Sequence, residues 1–317
     1  MFPKISVFIT SFNQRDFLAE AIESVLAQTL RPFEIIIVDD FSSDGSQDLI
    51  KSYAQKHSDI IRPFFQNQNL GISRNKAFAQ RQVRGDWLTY LDGDDRFLSE
   101  KLEREWTTII ENPGARVSYS NFYYINEKGE RLHLWAKAFE PPSGYIFQQV
   151  FSRKFPGKTL FRNELVSSSC LSEVGYYDEN RSTHEDWDFK IRLSKRYCIF
   201  YSNLPLIEYR KHFDSISLKS SKAFLLHQMI EVYFKNKSLL NDIDLVEKNY
   251  IEHELFDFIT ERSLNLIFEH ISKGNRLDAL KYCFEFMRWM KFGQAFKILS
   301  CCIFPSNPFR RNSTAKL

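Results

Sequence analysis

The chain has 317 residues, enough for one large α/β domain with a smaller addition, and its 43% hydrophobic content provides ample material for a core. Its net charge of +3 and pI near 8.4 are too mild to indicate a nucleic-acid-binding protein, and no Lys/Arg block resembles a patch for phosphate backbones. The 30 Phe residues and the ordinary charged fraction of 26% exclude disordered and fibrous proteins.

The five cysteines show no CxxC or paired spacing, so we expect neither a disulfide framework nor a structural zinc site, and we expect a reducing compartment. The apolar run 5–10 has the length of a strand and lacks the basic region and cleavage site of a secretory signal. The sequence has no stretch of about 18 uninterrupted apolar residues, so it does not predict a transmembrane helix. We therefore expect a cytoplasmic protein, either soluble or peripheral at the cytoplasmic face of the membrane.

Apolar strand-like runs alternate with helical spacing in the first hundred residues. The spacing predicts strands over 4–10, 33–39 and 60–65, helices over 16–28 and 48–57, and a third helix after the polar loop 67–75. Asp16 is the predicted N-cap of the first helix. This alternation predicts an α/β fold with a doubly wound, mostly parallel sheet that binds its ligand at the carboxyl ends of the strands.

An acidic cluster directly follows the strand-like run 87–91: Asp92, Asp94 and Asp95, with Gly93 between them. Three acids within four residues repel one another and raise one another's pKa unless a cation lies among them. Mg²⁺ prefers carboxylate oxygens and usually keeps positions open for substrate phosphates. The cluster therefore predicts a metal that holds a nucleotide diphosphate, and the alternative is a solvated turn, since Asp and Gly favour turns.

Polar residues also follow two other predicted strands, in Ser11-Phe12-Asn13 and in Asp39-Asp40. Because the carboxyl ends of parallel strands meet at one edge of a sheet, we expect one crevice to collect these residues and the acidic cluster. The glycines do not form a GxGxxG motif or a Walker A motif, so the sequence indicates neither a dinucleotide-binding site nor an ATP-binding P-loop.

The middle of the chain predicts a helix over 100–111, a strand over 117–126 and an irregular region over 130–155, which we interpret as the acceptor side. Further along, Asp186 is predicted near a helix N-terminus, where a negative charge is favoured. Strands are predicted over 198–201 and 206–212.

The C-terminal third is predicted to be helical, over 223–235, 244–268 and 277–302, which divides the chain into domains 1–220 and 221–317. The last helix interleaves aromatic residues with basic ones, and Arg310-Arg311 follow it. A basic, aromatic amphipathic segment can lie in a membrane interface, so we expect peripheral membrane contact. Packing against the rest of the chain is the alternative.

Four separated signals resemble the family 2 glycosyltransferases of the GT-A fold, which transfer a sugar from a nucleotide donor with inversion at the anomeric carbon. They are Thr10-Ser11-Phe12-Asn13, VDDFSSDGS at 38–46, NLGISRN at 69–75 with RGDWLTYLDGDD at 84–95, and HEDWDF at 184–189 with YRKH at 209–212. The likeness covers roughly residues 3–220, and the order and spacing of the motifs carry it.

The resemblance implies a nucleotide site. Thr10 and Phe12 would form its walls, with Phe12 where the family often has Tyr, so that stacking on a base survives without the hydroxyl. The other implied contacts are Asp40 with the uracil N3–H, Asp39 with the base or ribose, Arg74 with the base edge or diphosphate, and Asp92 with the ribose or metal-bound water. Strand-end acids feeding a turn are the alternative for Asp39-Asp40, and a solvated cation is the alternative for Arg74.

The resemblance also implies a metal and an acceptor site. Asp94 would be the direct ligand of Mn²⁺ or Mg²⁺, and His212 would reach the metal or diphosphate. Asp186 would be the general base, Glu185 its neighbour at the acceptor, and Trp187 a stacking platform for the acceptor. An N-cap role for Asp186, a surface or hydrogen-bonded role for His212 and a core role for Trp187 are the alternatives.

The expected function is metal-dependent, inverting transfer of a sugar from a nucleotide-diphosphate donor, a UDP-sugar, to a hydroxyl of a glycan or lipid-linked acceptor. The resemblance places that reaction in the synthesis of cell-surface polysaccharide or a lipopolysaccharide-like glycan. The alternatives are a noncatalytic nucleotide-sugar-binding protein and a nucleotidyltransferase, although the second lacks a Gly-rich, basic N-terminal loop. The sequence leaves the sugar, the acceptor, the linkage and the oligomeric state open.

Overall fold

The computed structural model describes residues 3–137, 140–212 and 220–289. The chain divides into two compact units, residues 1–215 and 216–317, where the sequence predicted a boundary at 220. Within the described ranges, no helix combines the length and apolarity that crossing a lipid bilayer requires.

Four parallel strands form the first half of the sheet. They are β1 (Ile5–Ser11), β2 (Glu34–Asp39), β3 (Ile61–Phe65) and β4 (Trp87–Asp92), in the spatial order β3-β2-β1-β4. Every residue of β1 and β2 is buried, which explains their continuous apolar runs, because helices cover both faces of such a sheet. Ser11 pairs with Asp39 and Thr10 with Asp92, so these three strands end at the same edge.

The helices α1 (Arg15–Leu26), α2 (Ser46–Lys56) and α3 (Ile72–Gln82) connect these parallel strands. Helix α1 buries Leu18, Ala21, Ile22 and Val25, the spacing expected of a helix packed on a sheet. The predicted N-cap of α1 was wrong: Gln14 occupies that position, and Asp16 lies in the first turn, where its charge still suits the helix dipole.

The second half of the sheet is mixed. Its strands are β5 (Arg96–Phe97), β6 (Val117–Ile125), β7 (Arg131–Leu134), β8 (Leu165–Ser167) and β9 (Ile199–Arg210), and the order continues β4-β8-β6-β9-β5 with β7 on β6. β8 is antiparallel to β4 and β6, whereas β6 and β9 are parallel. The two strands predicted over 198–201 and 206–212 are one strand, β9, whose register against β6 shifts near Asn121.

The helices of this half are α4 (Lys101–Glu111), α5 (Phe147–Phe151), α6 (Cys170–Val174) and α7 (Glu185–Arg196). Helix α7 packs against α5 and buries Trp187 and Ile191, which lie one turn apart on its inner face. Asp186 precedes that face, and a third of its side chain, 34%, is exposed.

The C-terminal unit contains α8 (Lys222–Asn236), α9 (Leu245–Ser272) and α10 (Arg276–Phe286). The carboxylate of Asp244 caps α9 by accepting hydrogen bonds from two backbone N–H groups of its first turn. The apolar face predicted for α9 is confirmed, since Leu255, Phe258, Ile259 and Leu266 are buried. The helix predicted over 277–302 is described only as far as Trp289, and its remainder and Arg310-Arg311 lie outside the described residues.

Candidate functional site

The acidic cluster lies at the carboxyl ends of β1 and β4. Thr10 Oγ1 donates a hydrogen bond of 3.3 Å to Asp92 Oδ1, and Gly93 N donates one of 2.9 Å to the carbonyl of Thr10. A Cβ atom at position 93 would lie 2.7 Å from Gln14 Oε1 and 3.0 Å from the Thr10 carbonyl oxygen. Glycine therefore lets the cluster pass this close to β1.

Asp94 and His212 meet beside this edge. His212 Nε2 lies 2.7 Å from Asp94 Oδ2, and both side chains are mostly buried. A carboxylate suits Mn²⁺ or Mg²⁺, which take few protein ligands when substrate phosphates supply the other oxygens, and an imidazole favours Mn²⁺ over Mg²⁺. Among the described residues no group of three or more His, Cys, Asp or Glu is arranged to hold a metal. A metal held by Asp94 and His212 would take its other ligands from substrate or solvent.

Asp95 and Arg210 lie buried beside Asp94. Asp95 belongs to the predicted acidic cluster but had no role of its own assigned, and Arg210 was not part of the sequence-based site. Asp95 is fully buried and accepts a 2.8 Å hydrogen bond from Arg210 N. Burial and the neighbouring Asp94 raise the pKa of Asp95 well above its usual range. The buried Arg210 guanidinium donates to the Asp94 carbonyl at 2.8 Å and to Glu20 Oε2 at 2.7 Å. In the sequence, Asp95 could have been found from the acidic cluster and Arg210 from the YRKH segment at 209–212.

Asp39 closes a turn in this structure. Its carboxylate accepts hydrogen bonds from Ser42 N at 2.8 Å, from Ser42 Oγ at 2.5 Å and from Gln47 Nε2 at 2.9 Å. These contacts match the alternative of a strand-end acid that shapes a turn. They also hold the loop after β2 in a defined position beside β1.

Asp40 holds the start of α3. Its two carboxylate oxygens accept from Leu70 N at 2.7 Å and Gly71 N at 2.9 Å, and burial raises the pKa of Asp40 despite these bonds. A carboxylate oxygen can accept a second hydrogen bond, so these contacts are compatible with an additional N–H from a base.

Two exposed aromatic rings follow β1 and β2. Phe12 and Phe41 are 46% and 53% exposed, and their loops are joined by a 2.8 Å hydrogen bond from Asn13 N to Ser42 Oγ. Phe41 adopts a left-handed backbone conformation, with φ of 68°, which is strained for a non-glycine residue. The sequence-based site did not include Phe41, although an aromatic residue directly after Asp40 was the signal.

Arg74 projects from the first turn of α3 and is exposed. Its Nε donates a 3.3 Å hydrogen bond to the carbonyl of Glu179, in the segment that leads to α7. The side chain therefore lies beside the approach to the acceptor-side helix, and nothing in these contacts ties it to a nucleotide base.

The acidic pair Glu185-Asp186 occupies the first turn of α7. Asp186 Oδ1 accepts from Trp187 N at 2.8 Å, and its Oδ2 lies 3.6 Å from Lys190 Nζ. Burial opposes ionisation of Asp186, but Lys190 and Lys76 outweigh it and hold its pKa well below the usual range. Burial instead raises the pKa of Glu185. The pair thus places an ionised carboxylate beside a carboxyl group that is harder to ionise.

Lys76 joins the two acidic regions. Its Nζ lies 3.1 Å from Asp92 Oδ1 and 3.2 Å from Glu185 Oε1, and only 3% of its side chain is exposed. Asp92 of the acidic cluster and Glu185 of the pair on α7 therefore lie on either side of a single buried ammonium group. Sequence reasoning missed Lys76, which directly follows the SRN segment of 73–75.

The structure corrects the expected role of Trp187. Its side chain is fully buried, its indole Nε1 donates a 2.9 Å hydrogen bond to the carbonyl of Val150, and the Arg153 guanidinium lies 5.0 Å from its ring centroid. No face of this ring is open to an acceptor sugar. Trp187 is a core residue because the buried face of α7 packs on α5.

The sequence matches the family model for Glycosyl transferase family 2 over residues 6–169. An uncharacterized glycosyltransferase of Methanocaldococcus jannaschii is 31% identical over 242 residues, which cover 74% of this chain and 81% of the relative. The GalNAc(5)-diNAcBac-PP-undecaprenol beta-1,3-glucosyltransferase of Campylobacter jejuni is 26% identical over 325 aligned residues, which cover 99% of this chain and 91% of that protein.

A solved structure of S. aureus TarS 1-349 in complex with UDP-GlcNAc resembles this chain with a TM-score of 0.68 and 16% identity, covering 91% of this chain and 82% of that one. At this identity the likeness concerns the fold, and it confirms the predicted α/β fold of the GT-A type with C-terminal helices. Together with the family match and the 31% identical relative, it leads to the conclusion that this protein is a glycosyltransferase and belongs to glycosyl transferase family 2.

Proposed function

We propose that this enzyme transfers a sugar from a UDP-sugar to a hydroxyl of a glycan or lipid-linked acceptor in cell-surface polysaccharide synthesis, with a divalent metal and with inversion. The contact of Lys76 with both Asp92 and Glu185 supports the proposal, because an acid assigned to the donor and an acid assigned to the acceptor both contact one ammonium group. The name of the C. jejuni relative, with its PP-undecaprenol-linked glycan, and the UDP-GlcNAc bound to TarS support these substrate classes.

The donor half would bind the nucleotide at the ends of β1 and β2. In this proposal the exposed ring of Phe12 stacks on the base, Thr10 lines the pocket, and Asp40 accepts the base N3–H. Asp39 orders the loop beside the ribose, and Asp92 contacts the ribose or metal-bound water. Arg74 would swing from its exposed position towards the base edge or the diphosphate.

The metal would be held by Asp94 and His212. When bound, Mn²⁺ or Mg²⁺ neutralises the charge that develops on the departing nucleoside diphosphate. Arg210 and Asp95 serve this site indirectly, since they anchor the backbone that carries Asp94.

The acceptor half would activate the attacking hydroxyl. A hydroxyl is a weak nucleophile, so Asp186 takes its proton while the hydroxyl oxygen bonds to the anomeric carbon and the bond from that carbon to the diphosphate breaks. Attack in line with the leaving group inverts the anomeric centre. Lys190 keeps Asp186 ionised for this step. Glu185, the preceding residue, is buried beside it on the acceptor side.

We also propose peripheral contact with the cytoplasmic membrane face through the C-terminal unit. Leu277 and Phe284 on α10 are 84% and 64% exposed, and Lys281 lies between them along the same helical stripe. Unchanged membrane fractionation after truncation at residue 275 would contradict this part of the proposal.

A panel of UDP-sugars assayed with Mn²⁺ or Mg²⁺ and a polyprenyl-diphosphate-linked acceptor tests the function. We expect release of UDP and a glycosylated product from the wild type, and loss of both in Asp186→Asn. Asp188→Asn is the matched control, since Asp188 lies two residues further along α7, is fully buried and pairs with Arg192 at 2.9 Å. Binding of UDP-sugar without turnover would favour the noncatalytic protein. Formation of UTP and sugar 1-phosphate from UDP-sugar and added pyrophosphate would favour the nucleotidyltransferase.

A further inference from the structure

We propose that Lys76 is a positioning residue that holds the donor-side Asp92 and the acceptor-side Glu185 together, so that the sugar donor and the general base Asp186 keep a fixed spacing. The inference rests on the proposed function and adds a residue to it. The ammonium of Lys76 lies 3.1 Å from Asp92 Oδ1 and 3.2 Å from Glu185 Oε1, and these acids come from β4 and from α7.

Lys76 is held as a cation inside the protein. Burial alone would favour the neutral amine, but Asp92 and Glu185 outweigh it and raise the pKa of Lys76 well above its usual value. The rings of Tyr90 and Tyr177, with centroids 4.5 Å and 5.9 Å from Nζ, complete its surroundings. A buried ammonium between two carboxylates fixes both of them, because moving either would leave a charge without compensation.

The backbone of α3 ties Lys76 to the proposed nucleotide site. Asp40 binds the N–H groups of Leu70 and Gly71 directly before α3, and the Asn75 side chain donates a 3.1 Å hydrogen bond to the carbonyl of Val38 in β2. Lys76, which follows Asn75, contacts Glu185 on α7. The single helix α3 therefore connects the loop that would hold the nucleotide base to the turn that carries Asp186.

Lys76 also acts on the charge of Asp186. Lys190 has the largest lowering effect on the pKa of this carboxyl group, and Lys76 has the next largest. Glu185 is the neighbouring acid that contacts Lys76. Burial raises the pKa of Glu185, and Lys76 opposes this effect by lowering it. Removing the ammonium is expected to weaken the proton-accepting form of the pair at low pH, in addition to loosening its position.

The variants Lys76→Met and Lys76→Arg test the proposal, with Lys101→Met as the matched control. Lys101 is equally buried in the same unit and pairs with Glu105 at 3.0 Å, but it contacts neither acidic region. For Lys76→Met we expect kcat to fall on the order of 100-fold, while the donor KM changes less than about threefold, because spacing and not binding is lost. The acidic limb of the kcat profile should move to higher pH, and Lys76→Arg should recover part of the rate.

Lys101→Met should lower the melting temperature by a similar amount and keep both kcat per folded molecule and the pH profile. A Lys76→Met enzyme that matches Lys101→Met in both respects would overturn the proposal, since Lys76 would then only stabilise the fold.

Melting temperatures test the coupling of Lys76 to Asp92 and Glu185 even if the wild type transfers no sugar. A wild type without transfer activity would contradict the proposed function and not this inference. Asp92→Asn and Glu185→Gln should each lower the melting temperature more in the wild-type background than in the Lys76→Met background, because each substitution removes a partner of the buried ammonium only where that ammonium is present. Equal shifts in the two backgrounds would overturn the inference.

Discussion

His212 Nε2 lies 2.7 Å from Asp94 Oδ2, although the two residues are 118 positions apart in the chain. The contact follows from the pairing of two strands: β5 begins directly after the acidic cluster and is antiparallel to β9, with Arg96 opposite Glu208. Because His212 follows the end of β9, this pairing returns its side chain to the cluster. The proposed metal site therefore depends on a two-residue strand at the edge of the sheet.

Removal of divalent metal should abolish activity. We expect EDTA to stop sugar transfer and added Mn²⁺ or Mg²⁺ to restore it, and Asp94→Asn to lower kcat on the order of 100-fold or more, since the charge on the departing diphosphate loses its counter-ion. Transfer assays with titrated metal measure this. His212→Gln should also lower kcat, because His212 is the second proposed metal ligand. His253→Gln is its control, because His253 is 70% exposed and lies in the C-terminal unit. Full activity in EDTA would contradict the metal assignment.

Asp186→Asn should lower kcat by about 10²- to 10⁴-fold, the usual contribution of a general base, with the affinity for UDP retained. Single-turnover rates and calorimetric UDP titrations separate these two effects. Asp188→Asn should instead lower the melting temperature while kcat per folded molecule stays within about threefold, because Asp188 holds Arg192 within the fold. Equal kinetic losses in both variants would argue against a specific role for Asp186.

Trp187→Phe should reduce stability and spare catalysis. The variant loses the hydrogen bond from the indole to Val150 and leaves space in the core, which should cost about 1–3 kcal/mol in the free energy of unfolding. We expect the KM for the acceptor and kcat per folded molecule to be unchanged. A raised acceptor KM at unchanged stability would restore the stacking role that the buried position of Trp187 contradicts.

Glu105 should make stability depend on pH. Burial raises the pKa of Glu105 from 4.5 to about 7 even though Lys101 lowers it, so the folded state keeps a proton that the unfolded state has lost. The contribution of this residue to stability is therefore full below about pH 4.5 and is lost as the pH rises to about 7. Compared with Glu105→Gln, the wild type should lose melting temperature across this window. Parallel curves for the two proteins would show that Glu105 does not titrate there.

The sequence by itself determined the parallel half of the fold and the location of the acidic residues. Strands buried on both faces need continuous apolar runs, which are local and visible in residues 5–11 and 34–39. Because ligands of such sheets bind at the strand ends, the positions of Asp92 and Asp94 directly after an apolar run were enough to assign both to one edge. The family resemblance added Asp186 through a motif, not through a contact.

The tertiary structure decided which side chains meet. The contact of Lys76 with Asp92 and Glu185 joins a helix, a strand and a second helix, and no local pattern encodes such a pairing. The same holds for Trp187, whose burial depends on the packing of α5 against α7. The short strands β5 and β8 were also not predicted, because two or three residues carry no measurable period. Local periodicity sets the elements, whereas the charge pairs of the site arise only when distant elements pack.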